Sequence, residues 1–199
     1  PIHWPAERSD VWLFCGQLIK SSLSEVDIIA AWGGALVWWS QGHLTGDIRI
    51  GGECALDSQD TQIALVNISS AWPNMFGDAS RTIGFTVHTY RIETNANGQE
   101  TAVLLDADIA LNDETFDFSE HGVRNGSFDI AAVVAHEVGH ALGLGHPCGD
   151  GFGAFPSCAQ VPLDTLKTLE KSIMFPGQLV GERALGLGED DLASLAAVW

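Results

Sequence analysis

Eleven residues, His136 through His146, read H-E-V-G-H-A-L-G-L-G-H and constrain the chain more than any other stretch. His136 and His140 stand four positions apart, so on a helix their rings lie on one face, one above the other. Glu137 is the next residue round, displaced by about 100° at ~3.6 residues per turn. Its carboxyl can reach a metal-bound water without taking a ligand position. Gly143 follows the second histidine by three residues. Glycine adopts positive φ at no steric cost, so the helix can stop there and the chain can turn back. The return brings His146 to the same ion. Three neutral imidazoles with a fourth position left open describe a catalytic zinc site, not a closed structural one. A helix with two surface histidines and a glycine-rich tail would not explain why the apolar run 130–135 leads directly into His-Glu.

Further on, the chain carries Ser172-Ile173-Met174-Phe175-Pro176. Together the two stretches resemble the metzincin metallopeptidases, whose signature is H-E-x-x-H-x-x-G-x-x-H followed by a methionine turn. The resemblance implies a zinc-dependent endopeptidase. His136, His140 and His146 would be the metal ligands and Glu137 the catalytic general base. Met174 would lie beneath the metal as an apolar floor, with Gly143 and Pro176 in structural roles. A zinc-activated water would attack the peptide carbonyl while Glu137 takes its proton and passes it to the leaving amine. No nucleophile elbow accompanies the histidines, which argues against a Ser or Cys mechanism.

A length of 199 residues suits one domain, or one domain with two lobes around a cleft. The expected division is a single catalytic domain over 1–199, with an upper subdomain at 1–146 and a lower subdomain at 147–199. At 46% hydrophobic residues the chain can bury a substantial core. The 26 acidic residues against 9 basic ones, a net charge of −17, argue against nucleic acid and anionic membrane as partners. The expected partner is a protein or peptide substrate in extended conformation, met by a monomer. The longest apolar run, 28–39, has 12 residues and falls short of the ~20 that span a bilayer. The chain begins at Pro1 rather than Met, which fits removal of a signal peptide or pro-segment.

Four cysteines, Cys15, Cys54, Cys148 and Cys158, allow three pairings. Two disulfides in an oxidising compartment is the natural reading, and four buried thiols the alternative. The favoured pairing is Cys15–Cys54 with Cys148–Cys158, the second closing a short loop rich in Gly and Pro. Location is therefore expected to be secreted or extracellular, with the periplasm also compatible.

Taken in order, residues 11–15 read as a first strand and 24–40 as a long helix that Ser24 can cap, weakened by Gly33-Gly34. Those glycines could let a neighbouring sheet approach closely. Strand-like runs follow at 48–50, 63–67 and 82–92. Asn97-Gly98 then signals a hairpin into 102–109. Helix, strands, hairpin and active-site helix make an α+β order. That order is similar to the matrixin branch of the metzincins, and to its bacterial members in particular. The resemblance implies a twisted mixed sheet with a long backing helix, an active-site helix, and a small C-terminal subdomain ending in a helix. It also implies an antiparallel edge strand that pairs with substrate, placing Gly84, Phe85, Thr86 and Val87 as substrate-binding residues. Asp190 and Asp191, in L-G-E-D-D-L, resemble the matrixin pair that anchors the methionine turn and the mature N-terminus. Simple capping of the last helix is the other reading of this pair.

Pro147 and the segment 147–173 depart from the matrixin pattern, while Pro176 argues against the neighbouring branches. Pro147 follows the third histidine, as in serralysins, where matrixins have Ser. Position 176 is Pro, where serralysins and astacins carry a Tyr that can bind zinc. The segment 147–173 is a long loop for a matrixin. The histidine-rich segment behind the second, structural zinc of vertebrate matrixins is not evident, so one zinc is expected. His3, His43, His88 and His121 read as structural or solvent-facing, with His88 the one that could sit on the cleft strand. Asp106, Asp108, Asn112, Asp113, Glu114 and Asp117 could hold calcium, although their spacing is not that of a calcium loop and a solvated acidic turn is the stronger reading. The alternative function is a zinc-binding, toxin-like or partner-binding module with little proteolysis.

Overall fold

The computed structural model describes residues 2–4, 12–16, 23–40, 46–50, 63–68, 72, 77–120, 126–149, 156–177 and 186–198. They form a mixed α/β fold. Its sheet contains β1 (Ile2–His3), β2 (Trp12–Gly16), β3 (Gly46–Ile50), β4 (Ile63–Ile68), β5 (Gly84–Thr94) and β6 (Glu100–Asn112). The order is β1-β6-β4-β2-β3, with β5 pairing β6 as well. β6 is the pivot. It runs antiparallel to β5 from Glu100 to Leu111 on one edge, and its other edge takes β1 and β4 in parallel. β5 is thus the antiparallel strand of an otherwise parallel sheet. The turn that joins it to β6 is held by the Asn95 side chain, whose Oδ1 accepts from the amides of Asn97 and Gln99. Gly98 sits there at φ 78.

The long helix, α1 (Glu25–Ser40), and the helix that carries His136 and His140, α2 (Ile130–Ala141), pack against each other, and α2 also packs on β5 and β6. One buried apolar cluster joins Ile28, Trp32 and Trp39 of α1 to Leu104 and Ile109 of β6 and Val134 and Val138 of α2. It extends to Leu144 and Met174. Two tryptophans add direction to this packing. Trp39 Nε1 donates to Ala135 O and Trp4 Nε1 to Ala141 O, each at 2.7 Å, so α2 is pinned at its middle and at its end. Gly34 does not serve close packing as expected, since a Cβ built there meets nothing within 4 Å.

Beyond α2 lie a 3-10 turn at Cys158–Gln160, α3 (Leu163–Leu169) and α4 (Glu189–Val198). The long loop expected over 147–173 is therefore partly ordered into helix. A two-stranded ladder of β7 (Phe118–Ser119) and β8 (Phe128–Asp129) feeds α2. Cys148 and Cys158 form a disulfide with their Cα atoms 4.9 Å apart. The expected Cys15–Cys54 pairing lies outside the described residues.

Candidate active site

α2 begins where Asp129, with extended φ and ψ, accepts from the amide of Ala131. This is an N-cap that satisfies one of the free amides of the first turn. The helix ends at Ala141 with Leu142 as its C-cap, and Gly143 follows at φ 94. The amide of Gly143 bonds His140 O at 2.7 Å and that of Leu144 bonds Gly139 O at 3.0 Å. This bond pair is the Schellman stop, which needs a left-handed residue where Gly143 stands. The turn swings His146 back over the helix end.

The three imidazoles converge. Their Nε2 atoms are 3.1 Å (His136 to His146), 3.1 Å (His136 to His140) and 3.0 Å (His140 to His146) apart. Two of the rings have fixed tautomers. His136 Nδ1 lies 2.7 Å from Ile173 O and His140 Nδ1 lies 2.8 Å from Leu144 O. A carbonyl can only accept, so both Nδ1 atoms carry the proton and both Nε2 atoms present lone pairs. Those Nε2 atoms cannot hydrogen-bond each other, and lone pairs that close suit a cation between them. Tetrahedral zinc with Zn–N of about 2.0–2.1 Å puts its nitrogens about 3.3 Å apart, which the triangle meets to within a few tenths of an ångström. Burial pushes the His136 imidazolium down to about 4 and His140 well below its ordinary value, so both rings are neutral at neutral pH, the form that can bind a metal. Among the described residues this is the one group of three or more His, Cys, Asp or Glu side chains that could hold a metal ion. The calcium expectation gains no support. Asp106 and Asp108 are buried within β6, and Asn112 is used in structure: its Nδ2 donates to Ala79 O and Thr82 O, and its Oδ1 accepts from the amide of Thr115.

Glu137 is 4% exposed. Burial raises its carboxyl to about 7 against the opposing pull of the Thr86 hydroxyl, which donates to Oε2 at 2.7 Å. A carboxyl at that value suits proton exchange near neutrality. Met174 is buried against Gly139, the residue just before the second histidine. A Cβ on Gly139 would lie 2.2 Å from Met174 Sδ and 2.7 Å from Trp39 Cζ2. Gly139→Ala is expected to lower stability by about 1–3 kcal/mol through overpacking, read as a drop in the denaturant midpoint.

Asp191 fixes the turn that carries Met174. Its Oδ1 accepts from Ser172 Oγ and from the amide of Met174, and its Oδ2 accepts from the amides of Ile173 and Gly188, each at 2.7 Å. The tie to the methionine turn and the capping of the last helix fall on this one side chain, while the mature N-terminus of the first reading lies outside the described residues. It anchors the methionine turn, and from the third position of α4 it also caps the amide of Gly188. Asp190 takes part in none of these four bonds. Burial first, then the Asp191 charge, raises its carboxyl.

A cleft of about 720 Å³ opens over the site, lined by residues 81–86, His88, the three histidines, Glu137, Phe175 and Pro176. Of the four residues expected to bind substrate, Gly84, Phe85 and Thr86 line it. The side chain of Val87 does not, packing instead with Trp72 and Ala110. Every second residue of β5 from Gly84 to His88 touches α2: Gly84 and Thr86 meet Glu137, and His88 Nε2 donates to His140 O at 2.8 Å. His88 is thus a clamp on the helix end, outside the ligand triangle. The positions of His43 and His121, and the side chain of His3, lie outside the described residues. The sequence reading missed the Thr86–Glu137 bond, the space left at Gly139 and the Asp129 cap. Asp129 was open to detection, as an N-cap residue type directly before an apolar run.

Compared with known families, residues 53–151 match the peptidase family described as Matrixin. The match takes in β5, β6, α2 and all three histidines, and ends before Met174. No curated protein matches the chain.

Proposed function

Because the chain is a matrixin-like metzincin, we propose that it is a zinc-dependent endopeptidase with Glu137 as general base. One observation carries the reading: three Nε2 atoms 3.0–3.1 Å apart, beside a buried carboxyl. His136, His140 and His146 would hold a single zinc. When bound, zinc supplies Lewis acidity that brings the pKa of water to about 7 and polarises a carbonyl. The chain's own residues do the rest. Glu137 Oε2 is occupied by the Thr86 hydroxyl. Oε1 is therefore the atom that takes the proton of the attacking water and returns it to the leaving amine. The edge of β5 that faces away from β6 offers main-chain groups to an extended peptide, with Gly84, Phe85, Thr86 and Val87 as the binding stretch. Met174 supports the ligand rings from below, and Gly143, Pro176, Asp190 and Asp191 shape the turns around them.

We read 1–199 as one catalytic domain, with 1–146 above the cleft and 147–199 as the smaller lower subdomain, and the sheet as the twisted metzincin sheet. The bond from His136 to Ile173 O, which crosses between the two subdomains, supports one unit. The Cys148–Cys158 disulfide supports secretion. We read the protein as a monomer. Among the described residues no helix is long and apolar enough to cross a membrane.

The test is cleavage of a mixed peptide library by the oxidised protein. Cuts at interior bonds are expected, to be abolished by a chelator and restored by one equivalent of zinc. Zinc-loaded protein that cuts nothing would overturn the reading in favour of a partner-binding module.

A further inference from the structure

We propose that Gly84 and Thr86 of β5 form a cradle that positions the carboxylate of Glu137, with Thr86 as the positioning residue. This rests on Glu137 being the base. Two independent contacts carry it. The first is a bond: Thr86 Oγ1 lies 2.7 Å from Glu137 Oε2 and 3.1 Å from Glu137 O. A hydroxyl has one proton, and the charged oxygen at the shorter distance is its stronger acceptor. The second contact is space. A Cβ on Gly84 would lie 2.6 Å from Glu137 Oε1 and 3.0 Å from both Cδ and Cγ. The carboxyl can lie across the strand only because position 84 has no side chain.

Gly84 and Thr86 are two apart in a strand, so both face α2. One clears the floor under the carboxyl and the other grips its far oxygen. Glutamate has three freely turning side-chain bonds, and a free one would spread its carboxyl over many positions. The cradle leaves Oε1 as the unclaimed oxygen and fixes where it points. Catalytic groups held before the substrate arrives need no reorganisation during the reaction. The cradle also lies on the same strand whose edge is to pair with the peptide. Base and substrate would therefore share one frame, and a peptide in register on β5 would meet Oε1 at a set distance. The bland account is that the hydroxyl, on a residue only 8% exposed, merely satisfies its own burial.

A double-mutant cycle separates the two accounts. Thr86→Val keeps the shape and deletes the hydroxyl. It is expected to lower kcat about tenfold to hundredfold, the effect of one hydrogen bond to a charged group, with KM and zinc content unchanged. Thr86→Ser should recover most of that loss. In a Glu137→Ala background, Thr86→Val should lower the residual rate no further. Should Thr86→Val fail to fold, Thr86→Ala takes its place in the cycle. A wild-type kcat in the folded variant, no recovery with Ser, or an equal loss with and without Glu137 would overturn the cradle. Glu137→Ala alone at the wild-type rate would instead overturn the base assignment beneath it.

Discussion

Glu137→Ala is expected to retain one zinc per chain and to lose turnover by about a hundredfold to ten-thousandfold, the range for removal of a general base. Zinc content should hold because the side chain is no part of the Nε2 triangle, and the Nδ1 locks on Ile173 O and Leu144 O are untouched. Elemental analysis and peptide-cleavage kinetics on the same sample check both halves. The stability of the metal-free protein should move the other way. Burial raises the folded carboxyl from 4.5 to about 7. A raised folded pKa gives stability that is full below 4.5 and lost as pH rises through 7, so at pH 8 the buried charge opposes folding. Replacing it with Ala or Gln should leave the metal-free midpoint at about pH 8 unchanged or higher. A fall in that midpoint together with lost zinc would mean that Glu137 is a structural strut.

Asp191→Ala should be among the most damaging single changes in the described residues. One carboxylate accepts from Ser172 Oγ and from the amides of Ile173, Met174 and Gly188, and it is fully buried. Alanine leaves the amides of Ile173 and Gly188 and the Ser172 hydroxyl without this acceptor, while the Met174 amide keeps Ser172 Oγ at 3.1 Å; each such loss is worth about 1–3 kcal/mol. Water entering the site offsets some of this, and a net loss of about 4 kcal/mol is expected. The damage should also reach the metal. Ile173 O is the acceptor for His136 Nδ1, and it rides on the turn that Asp191 holds. Loss of a partner of this kind lowers zinc affinity about tenfold to hundredfold. Urea melts and competition with a chromophoric chelator read the two effects. A variant with native zinc affinity would show that the methionine turn holds its shape without the carboxylate.

How much of this is legible in the sequence differs by element. The ligand triangle can be read because it depends on short spacings: four residues along one helical face, then a glycine, then three more. The disulfide at Cys148–Cys158 is legible for the same reason. Asp191 is half-legible, since its place beside the methionine turn comes from resemblance while its capping of Gly188 follows from position alone. The Thr86–Glu137 bond spans 51 positions, and a threonine in an alternating strand carries no local mark of its partner. α3 escapes the sequence reading because it buries no residue and Leu163 is 67% exposed, so no apolar stripe announces it. Its weaker signals are there: Pro162 just ahead, Asp164 in the first turn and Lys167 in the last. The solvated acidic turn favoured for this stretch is corrected, because acidic residues near one another in sequence look solvent-facing whether or not a strand buries them, and calcium, the weaker reading, gains no support. The strand buries Asp106 and Asp108 and gives Asn112 to the turn.

The orientation of the two helix-borne imidazoles is entrusted to peptide groups at 144 and 173, which every amino acid supplies. Mutation can therefore exchange the side chains at both places while the rings keep their tautomer, provided the path of the backbone survives. Kin of this chain could drift far in spelling around the metal and still perform the same reaction. What selection has to preserve there is a trajectory more than an alphabet.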